Sequence, residues 1–116
     1  MEICRGDMFY ADLSPAIGEE MGGTRLVITL QNDCLNTAVS AEKLKTITIA
    51  PITSAVRPEM DPRWIVNLPR EGLFDHKIDL SQIRTISVQR LREFFDKATP
   101  NVMTEVDQKL KLVLGL

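Results

Sequence analysis

The chain has 116 residues, of which 44% are hydrophobic and 26% are charged, and its formal net charge is −2. This length and composition predict a single soluble globular domain and exclude a disordered or fibrous chain. The small negative charge excludes binding to nucleic acid through bulk positive charge, but it leaves room for a local basic site.

The cysteines and the N-terminus bear on the compartment. Two cysteines, Cys4 and Cys34, are too few and too scattered for a disulfide framework or a zinc knuckle, so we expect reduced thiols. Residues 1–7 lack the apolar run of a signal peptide. No stretch approaches the roughly 20 apolar residues that a membrane helix needs. We therefore expect a cytoplasmic protein with no membrane partner.

The first two thirds of the chain predict short strands. The predicted strands are 8–13, 26–30, 46–50, 64–68, 77–80 and 84–87, each a densely apolar or period-two run bounded by turn residues. Pro51 cannot donate a ladder hydrogen bond, so it predicts a sheet edge or bulge directly after Ala50. Five or six short strands in sequence favour a small antiparallel barrel, whose closure removes exposed edges.

The last third changes to helical periodicity. Residues 88–95 predict a short helix, and Thr99 followed by Pro100 is typical of the N-cap and first position of a longer one. An apolar stripe predicts that this helix covers about 100–114, packs against the barrel or a second subunit, and ends at Gly115. The stripe consists of Met103, Val106, Leu110, Val113 and Leu114.

Two segments between these elements have features of functional loops. Residues 18–23 are punctuated by glycine and lead into Arg25, whose guanidinium can grip a phosphate with two parallel hydrogen bonds. Taken alone, a surface salt bridge is the commoner role for such an arginine. No Gly-Lys-Ser/Thr follows, so the pattern is not a phosphate-binding P-loop. Residues 55–63 combine prolines with both signs of charge and predict a long mobile surface loop.

Six short blocks, in order from the N-terminus to about residue 91, carry a family resemblance. They are RGD at 5–7, ADLSP at 11–15, GEEMGGTR at 18–25, QND at 31–33, APITS at 50–54 and QIRTI at 82–86. Each block is weak alone, but together they specifically resemble the MazF/PemK toxins. The predicted C-terminal helix also fits the layout of that family.

The resemblance implies a fold, an activity and partners. Members of that family are the toxin halves of bacterial toxin–antitoxin pairs, and they are homodimers of a small SH3-like barrel with a C-terminal helix, a mainly β fold with α (α+β). They cut single-stranded RNA without a metal or other cofactor. The 2′-hydroxyl attacks the neighbouring phosphate and leaves a 2′,3′-cyclic phosphate and a 5′-hydroxyl. The resemblance thus implies one toxin domain over 1–116, with its barrel at about 5–87, that binds RNA and a cognate antitoxin. Any contact with DNA is expected only through the antitoxin.

The resemblance also assigns an active site. Arg25 matches the family's active-site arginine and would hold and stabilise the phosphate; a guanidinium stays protonated, so we do not expect it to be the general base. Thr53 matches the active-site threonine, whose hydroxyl can donate to a phosphate oxygen. Glu20 matches an acidic loop position and is the candidate proton acceptor, with pairing to Arg25 as the alternative. The residues expected to contact RNA are Gly22, Gly23, Thr24, Ser54, Arg57 and Arg84.

Three departures from the family pattern stand out. Leu26 replaces the usual proline, and about five extra residues are expected within 38–45. Ser81 replaces the usual acidic residue, while Asp79 lies two positions earlier, which leaves the general acid and base open. His76, the lone histidine, matches no catalytic position of the family.

Two alternatives remain. A gyrase-binding toxin would share the barrel and the helix, but such toxins end in Trp-Gly-Ile, whereas this chain ends in Leu114-Gly115-Leu116. A degenerate member would keep the fold and bind an antitoxin or RNA without cutting. Discrete cuts in RNA that is incubated with the protein in EDTA would distinguish the nuclease from both alternatives.

Overall fold

Alternating apolar and polar residues in the first two thirds of the chain produce an antiparallel sheet, and a helix follows it. The computed structural model describes residues 2–15, 17–18, 22–55, 61–69 and 72–116. Within these residues the strands are β1 (Asp7–Asp12), β2 (Thr24–Thr29), β3 (Thr46–Thr53), β4 (Ile65–Asn67), β5 (Lys77–Asp79), β6 (Arg84–Ser87) and β7 (Leu91–Lys97). The helices are α1 (Asp33–Ser40) and α2 (Pro100–Leu114), and short 3₁₀ turns cover Pro62–Trp64, Leu80–Gln82 and Val88–Arg90.

All of the described strand pairs are antiparallel. The strand order is β4-β5-β3-β2-β1-β7, and β6 pairs with another part of β3. Strands β7, β1, β2, β3 and β6 form the small SH3-like barrel. Strands β3, β5 and β4 form a second sheet of three strands. The predicted fold class, a small antiparallel barrel with a C-terminal helix, is confirmed.

Strand β3 belongs to both sheets, and Pro51 marks the point where it changes partner. The first four residues of β3 pair with β6 and the last two pair with β5, while Pro51 lies opposite Val27 of β2. The backbone N–H of Leu30 donates to the carbonyl of Thr48 at 3.0 Å, so the proline nitrogen, by alternation, faces away from β2. The prediction that the strand ends at Ala50 is wrong, because the proline lies where no ladder hydrogen bond is needed.

Two apolar clusters lie on opposite faces of the sheet, since successive strand residues point to opposite sides. The barrel core is surrounded by β1, β2, β3, β6 and β7, and its fully buried members include Ala11, Leu13, Val27, Ile47 and Ile49. The helix-side core lies between the sheets and α2, and its fully buried members include Met8, Ile28, Val66, Ile78, Leu80 and Val106.

Helix α2 follows the sequence prediction closely. The hydroxyl of Thr99 accepts a hydrogen bond from a backbone N–H of the first turn, and Pro100 is the first helical residue. Gly115 ends the helix in the left-handed conformation, with φ +71°, which favours glycine. Val106 of the predicted stripe is fully buried, but Leu114 is exposed. No helix within the described residues has both the length and the apolarity to cross a membrane.

The helix predicted over 88–95 is wrong. Val88–Arg90 is a 3₁₀ turn, and the chain then continues as β7 along the edge of β1, where Phe94 pairs with Phe9. The two rings make an edge contact with centroids 5.6 Å apart. Periodicity alone does not separate a short helix from a short strand, and here the unpaired edge of β1 decides the outcome. The barrel therefore extends past residue 87 to Lys97.

Helix α1 is absent from the sequence prediction, which placed an insertion within 38–45. Its start has an ordinary capping signal, since the side-chain oxygen of Asn32 accepts a hydrogen bond from the backbone N–H of Leu35 at 2.9 Å. Asp33 adds an acidic residue in the first turn, where it complements the helix dipole. The QND block therefore begins a helix.

Candidate active site

Four polar residues form a row across neighbouring strands at one end of β3. Thr53 of β3 pairs with Lys77 of β5, and Lys77 pairs with Asn67 of β4. The ladder between β2 and β3 stops two residues short of Arg25, and continuing its register places Arg25 opposite Thr53. We call Arg25, Thr53, Lys77 and Asn67 the cross-strand polar row.

The neighbours of these residues establish which way the row faces. Each row residue is next in sequence to a residue that is buried in the helix-side core, so the row points to the opposite face of the sheet. Those neighbours are Leu26, Ile52, Ile78 and Val66. Because strands in a sheet lie about 4.8 Å apart, the four residues span about 14 Å across the strands.

Arg25 is held in place by the loop that precedes it. Its Nε donates to the carbonyl of Gly22 at 2.9 Å, and the side chain is half-buried. Neither Nη atom donates a hydrogen bond to a residue that the structure describes. Among the described residues the guanidinium is therefore oriented by one bond, and its four Nη N–H groups have no partner there.

The glycine-rich loop is attached to the end of β1. The backbone N–H of Gly23 donates to the hydroxyl of Ser14 at 2.9 Å, and the Gly23 carbonyl accepts from the N–H of Leu13 at 2.9 Å. Gly23 has φ +76°, a backbone conformation that favours glycine. Gly22 is half-buried, and Gly23 and Thr24 are exposed. These three predicted RNA contacts therefore lie beside Arg25 at the start of β2.

Thr53 ends β3 and is only 4% exposed. Its hydroxyl oxygen accepts a hydrogen bond from the backbone N–H of Ala55 at 3.1 Å, so the hydroxyl proton remains for another acceptor. Ser54, a predicted RNA contact, is exposed directly beside it. This end of β3 therefore presents one positioned hydroxyl and one exposed hydroxyl.

Arg84, another predicted RNA contact, lies on the same side of the sheet but away from the row. It begins β6 opposite Ile49 of β3 and is half-buried. Ile49 precedes Thr53 by four residues, which is about 13 Å along an extended strand. Glu20 and Arg57 lie outside the described residues.

Asp79 and His76 are engaged with neighbours in the sequence. Asp79 is 1% exposed, and its carboxylate accepts hydrogen bonds from the backbone N–H of Ser81 at 3.0 Å and from the Ser81 hydroxyl at 2.6 Å. It therefore caps the 3₁₀ turn that begins at Leu80. The Nδ1 atom of His76 lies 2.8 Å from the carboxylate of Asp75, and this hydrogen bond lowers the pKa of Asp75.

The chemistry of the row favours an anionic ligand. Two cations, Arg25 and Lys77, lie on either side of the Thr53 hydroxyl, and none of the four row residues is acidic. Guanidinium, ammonium and hydroxyl groups together match the oxygens of a phosphodiester. Within the described parts of the chain, no group of three or more His, Cys, Asp or Glu residues is arranged to hold a metal ion.

The sequence analysis missed Lys77 and Asn67 as members of this site. Both lie in short strands whose limits were predicted to within two residues. What the sequence lacks is the pairing register, which brings both residues next to Thr53 from outside any recognised motif.

The sequence matches a family model described as a PemK-like, MazF-like toxin of type II toxin-antitoxin systems, over residues 4–114. It is also similar to "Endoribonuclease EndoA" of Bacillus subtilis (strain 168). The two are 36% identical over 118 residues, which cover 100% of this chain and 97% of that protein.

Solved structures have a similar fold. MazF (Form-I) from Deinococcus radiodurans matches with a TM-score of 0.77 and 25% identity, covering 100% of this chain and 99% of that one. An endoribonuclease in complex with its cognate antitoxin from Mycobacterial species matches with a TM-score of 0.76 and 20% identity, covering 98% and 96%.

Proposed function

Because this chain belongs to the PemK-like, MazF-like toxin family of type II toxin–antitoxin systems, we propose that it is an endoribonuclease that cleaves single-stranded mRNA without a metal. The observation that carries this proposal is the β2–β3 register, in which Val27 lies opposite Pro51. Continued by two residues, that register brings Arg25 opposite Thr53 on the same face of the sheet. A phosphodiester at that point can meet a guanidinium and a hydroxyl at once.

The reaction begins when the ribose 2′-hydroxyl loses its proton and attacks the adjacent phosphorus. A bond between the 2′-oxygen and phosphorus forms while the bond from phosphorus to the 5′-oxygen breaks, and the 5′-oxygen takes up a proton. Arg25 stabilises the added negative charge on the phosphoryl oxygens, and its bond to Gly22 orients it in advance. Thr53 donates its free hydroxyl proton to a phosphoryl oxygen. Glu20 accepts the proton of the 2′-hydroxyl.

RNA contacts extend from this point along the glycine-rich loop and the end of β3. Gly22, Gly23 and Thr24 lie beside Arg25, and Ser54 lies beside Thr53. Exposed backbone at glycine allows a close approach of the ribose–phosphate chain. The further contacts are Arg57 and Arg84.

The protein acts in the cytoplasm as a homodimer that a cognate antitoxin inhibits, and any DNA contact is made by the antitoxin. The mycobacterial structure described above contains an endoribonuclease with its cognate antitoxin. Apolar side chains on the surface of this chain also support partner binding, since Phe94, Leu112 and Leu114 are each more than half exposed.

The test is to incubate the purified protein with a mixed-sequence transcript in EDTA and to map both product ends by sequencing. We expect discrete cuts that leave 2′,3′-cyclic phosphate and 5′-hydroxyl ends. Products with 5′-phosphate ends would contradict the 2′-hydroxyl mechanism. An uncut transcript, together with inhibition of purified DNA gyrase, would favour the gyrase-binding alternative, which the similarity to an endoribonuclease does not favour.

A further inference from the structure

We propose that Lys77 is a further phosphate-binding residue of this site and holds the RNA backbone on the side of Thr53 opposite Arg25. This inference rests on the proposed RNA-cleaving function and adds a residue that lies outside every motif of the family resemblance. Its basis is strand pairing, which makes Lys77 the direct cross-strand neighbour of Thr53.

Strand pairing on one side, and the continued β2–β3 register on the other, put Lys77 and Arg25 on the strands that flank Thr53. Directly opposite residues of an antiparallel pair share a face and have Cβ atoms about 5 Å apart. Lys77 is therefore one strand spacing from Thr53, and Arg25 is one strand spacing away on the other side. The two cations lie about 10 Å apart at the backbone, with the hydroxyl between them. Both side chains are long enough to reach inward to one dinucleotide step.

The Lys77 ammonium is not engaged in the way that those of Lys97 and Lys109 are. The Nζ of Lys97 is 2.9 Å from the carboxylate of Asp7, and the Nζ of Lys109 donates to the carbonyl of Ile65 at 2.7 Å. Lys77 makes no hydrogen bond or ion pair with any part of the chain that the structure describes. Lys77 is half-buried, and a half-buried lysine packs its apolar stem while its ammonium stays accessible to a ligand.

The charges around Lys77 favour an anion. Asp75 is near enough for Lys77 to help lower its pKa, but the Asp75 carboxylate is already hydrogen-bonded to His76. The other members of the row carry a hydroxyl, a carboxamide and a guanidinium. The chain carries a net charge of −2, yet this one row holds two positive charges and no negative one. Phosphates of a single strand that crosses the strands of the sheet match this arrangement.

The test uses Lys77→Gln, which removes the charge, and Lys77→Arg, which keeps it. Lys45→Gln is the matched control, because Lys45 is exposed and lies about 26 Å of extended chain from Thr53, just before the other end of β3. Binding of a fluorescein-labelled mixed-sequence single-stranded RNA is measured by anisotropy between about 50 and 200 mM salt. Cleavage of a transcript and thermal unfolding are measured on the same preparations.

We expect Lys77→Gln to weaken RNA binding about two- to fivefold at low salt. We expect the slope of log affinity against log salt to become shallower by about 0.7, the value for one phosphate contact on a single strand. In the cleavage assay KM should rise while kcat stays the same, and the melting temperature should not change. Lys77→Arg should restore the affinity and the slope, and Lys45→Gln should match the wild type.

A wild-type slope in Lys77→Gln, or a Lys77→Arg protein that behaves like the glutamine variant, would overturn the inference. These results are separable from a failure of the proposed function. If the wild-type protein cuts RNA and Lys77→Gln keeps the wild-type slope, only the role of Lys77 is refuted. If the wild-type protein binds RNA with a slope that depends on Lys77 but never cuts it, the nuclease function is refuted and the Lys77 contact stands. A protein that binds no RNA removes both.

Discussion

The two ends of strand β2 use polar residues in different ways. At the C-terminal end the hydroxyl of Thr29 donates to the carbonyls of Cys4 and Asp7, at 2.8 and 3.1 Å, and its carbonyl accepts from the N–H of Gly6. At the N-terminal end Arg25 donates one hydrogen bond to the described part of the chain, from its Nε to the carbonyl of Gly22. Polar groups at the first end therefore stabilise the fold, and those at the second end remain for a ligand.

The contrast continues into the residues next to Thr29. Gln31 and Asn36 are buried, and the Gln31 amide donates to the side-chain oxygen of Asn36 at 3.1 Å. The Gln31 oxygen accepts from the backbone N–H of Thr48, and the Asn36 amide donates to the Gln31 carbonyl. We call Gln31, Asn36 and Thr48 the structural polar network, since their hydrogen bonds join α1 and β3 to the segment that follows β2. A polar residue within a recognised motif is thus not, by that fact, part of the active site.

The largest effect expected at the N-terminal end is that of Arg25→Ala. Removing a pre-oriented donor to the transition state should lower RNA cleavage by about 10²- to 10³-fold. The melting temperature should hardly change, because the side chain donates a single hydrogen bond to the residues that the structure describes. Arg25→Lys should cleave RNA at a rate between those of the wild type and Arg25→Ala, since it keeps the charge and loses the bidentate geometry. Full cleavage by Arg25→Ala at wild-type protein concentration would refute the assignment.

The structural polar network predicts the opposite pattern for Asn36→Ala. This change leaves the Gln31 amide buried without its acceptor, which should lower the free energy of unfolding by about 2 kcal/mol. Cleavage per folded molecule should be unchanged. Denaturant unfolding and initial cleavage rates at a temperature where both proteins are folded check the two parts. The matched control is Ser40→Ala on exposed surface of the same helix. An Asn36→Ala protein that is as stable as the wild type but has lost cleavage activity would contradict the view that the polar groups at the C-terminal end of β2 are structural.

Thr53, which ends β3 beside the N-terminal end of β2, provides a test with a smaller expected effect. Thr53→Val keeps the shape and removes the hydroxyl, and we expect about a tenfold loss of cleavage because a neutral hydroxyl donor contributes less than a guanidinium. Thr53→Ser should retain most of the activity. Single-turnover cleavage measures the effect on chemistry. Equal rates for valine and threonine would mean that the hydroxyl takes no part.

The smallest effect concerns pH and Asp33. The pKa of Asp33 is lowered by a hydrogen bond from the backbone N–H of Arg5 and then by one from the side chain of Asn36. A carboxyl with a lowered pKa in the folded state adds stability above its ordinary value of 3.8, and this stability is lost as the pH falls through the folded value. Asp33→Asn should therefore unfold more easily than wild type at neutral pH, and the difference should shrink below about pH 4. Urea unfolding at several pH values measures it, and a constant difference would contradict the linkage.

Much of the fold could be predicted from sequence, because local signals and tertiary packing agree there. Thr99, Pro100 and Gly115 define α2 by capping chemistry alone, and the β strands carry clear apolar runs. The errors come where packing decides. Residues 88–95 have an ambiguous period and become a strand because β1 offers a free edge. Pro51 is inside a strand because the partner changes there, and no local rule contains that information.

The site divides in the same way. Arg25 and Thr53 could be named from motif resemblance, but the 27 residues between them say nothing about whether they meet. Lys77 could not be named at all, since its proximity to Thr53 depends on the register of two short strands. The role of Asp79 is also seen only in the structure, where its burial and its bonds to Ser81 identify it as a cap.

The proline inside β3 has a consequence for how toxins of this architecture can diversify. Pro51 has no N–H to donate on that edge of β3, so the pairing of β6 with β3 ends before it. The rest of that edge pairs with β5. Lengthening or shortening the turn between β4 and β5 therefore changes how far that hairpin projects without shifting any pair in the barrel. Target preference can evolve in the hairpin while the scaffold that carries the guanidinium stays constant.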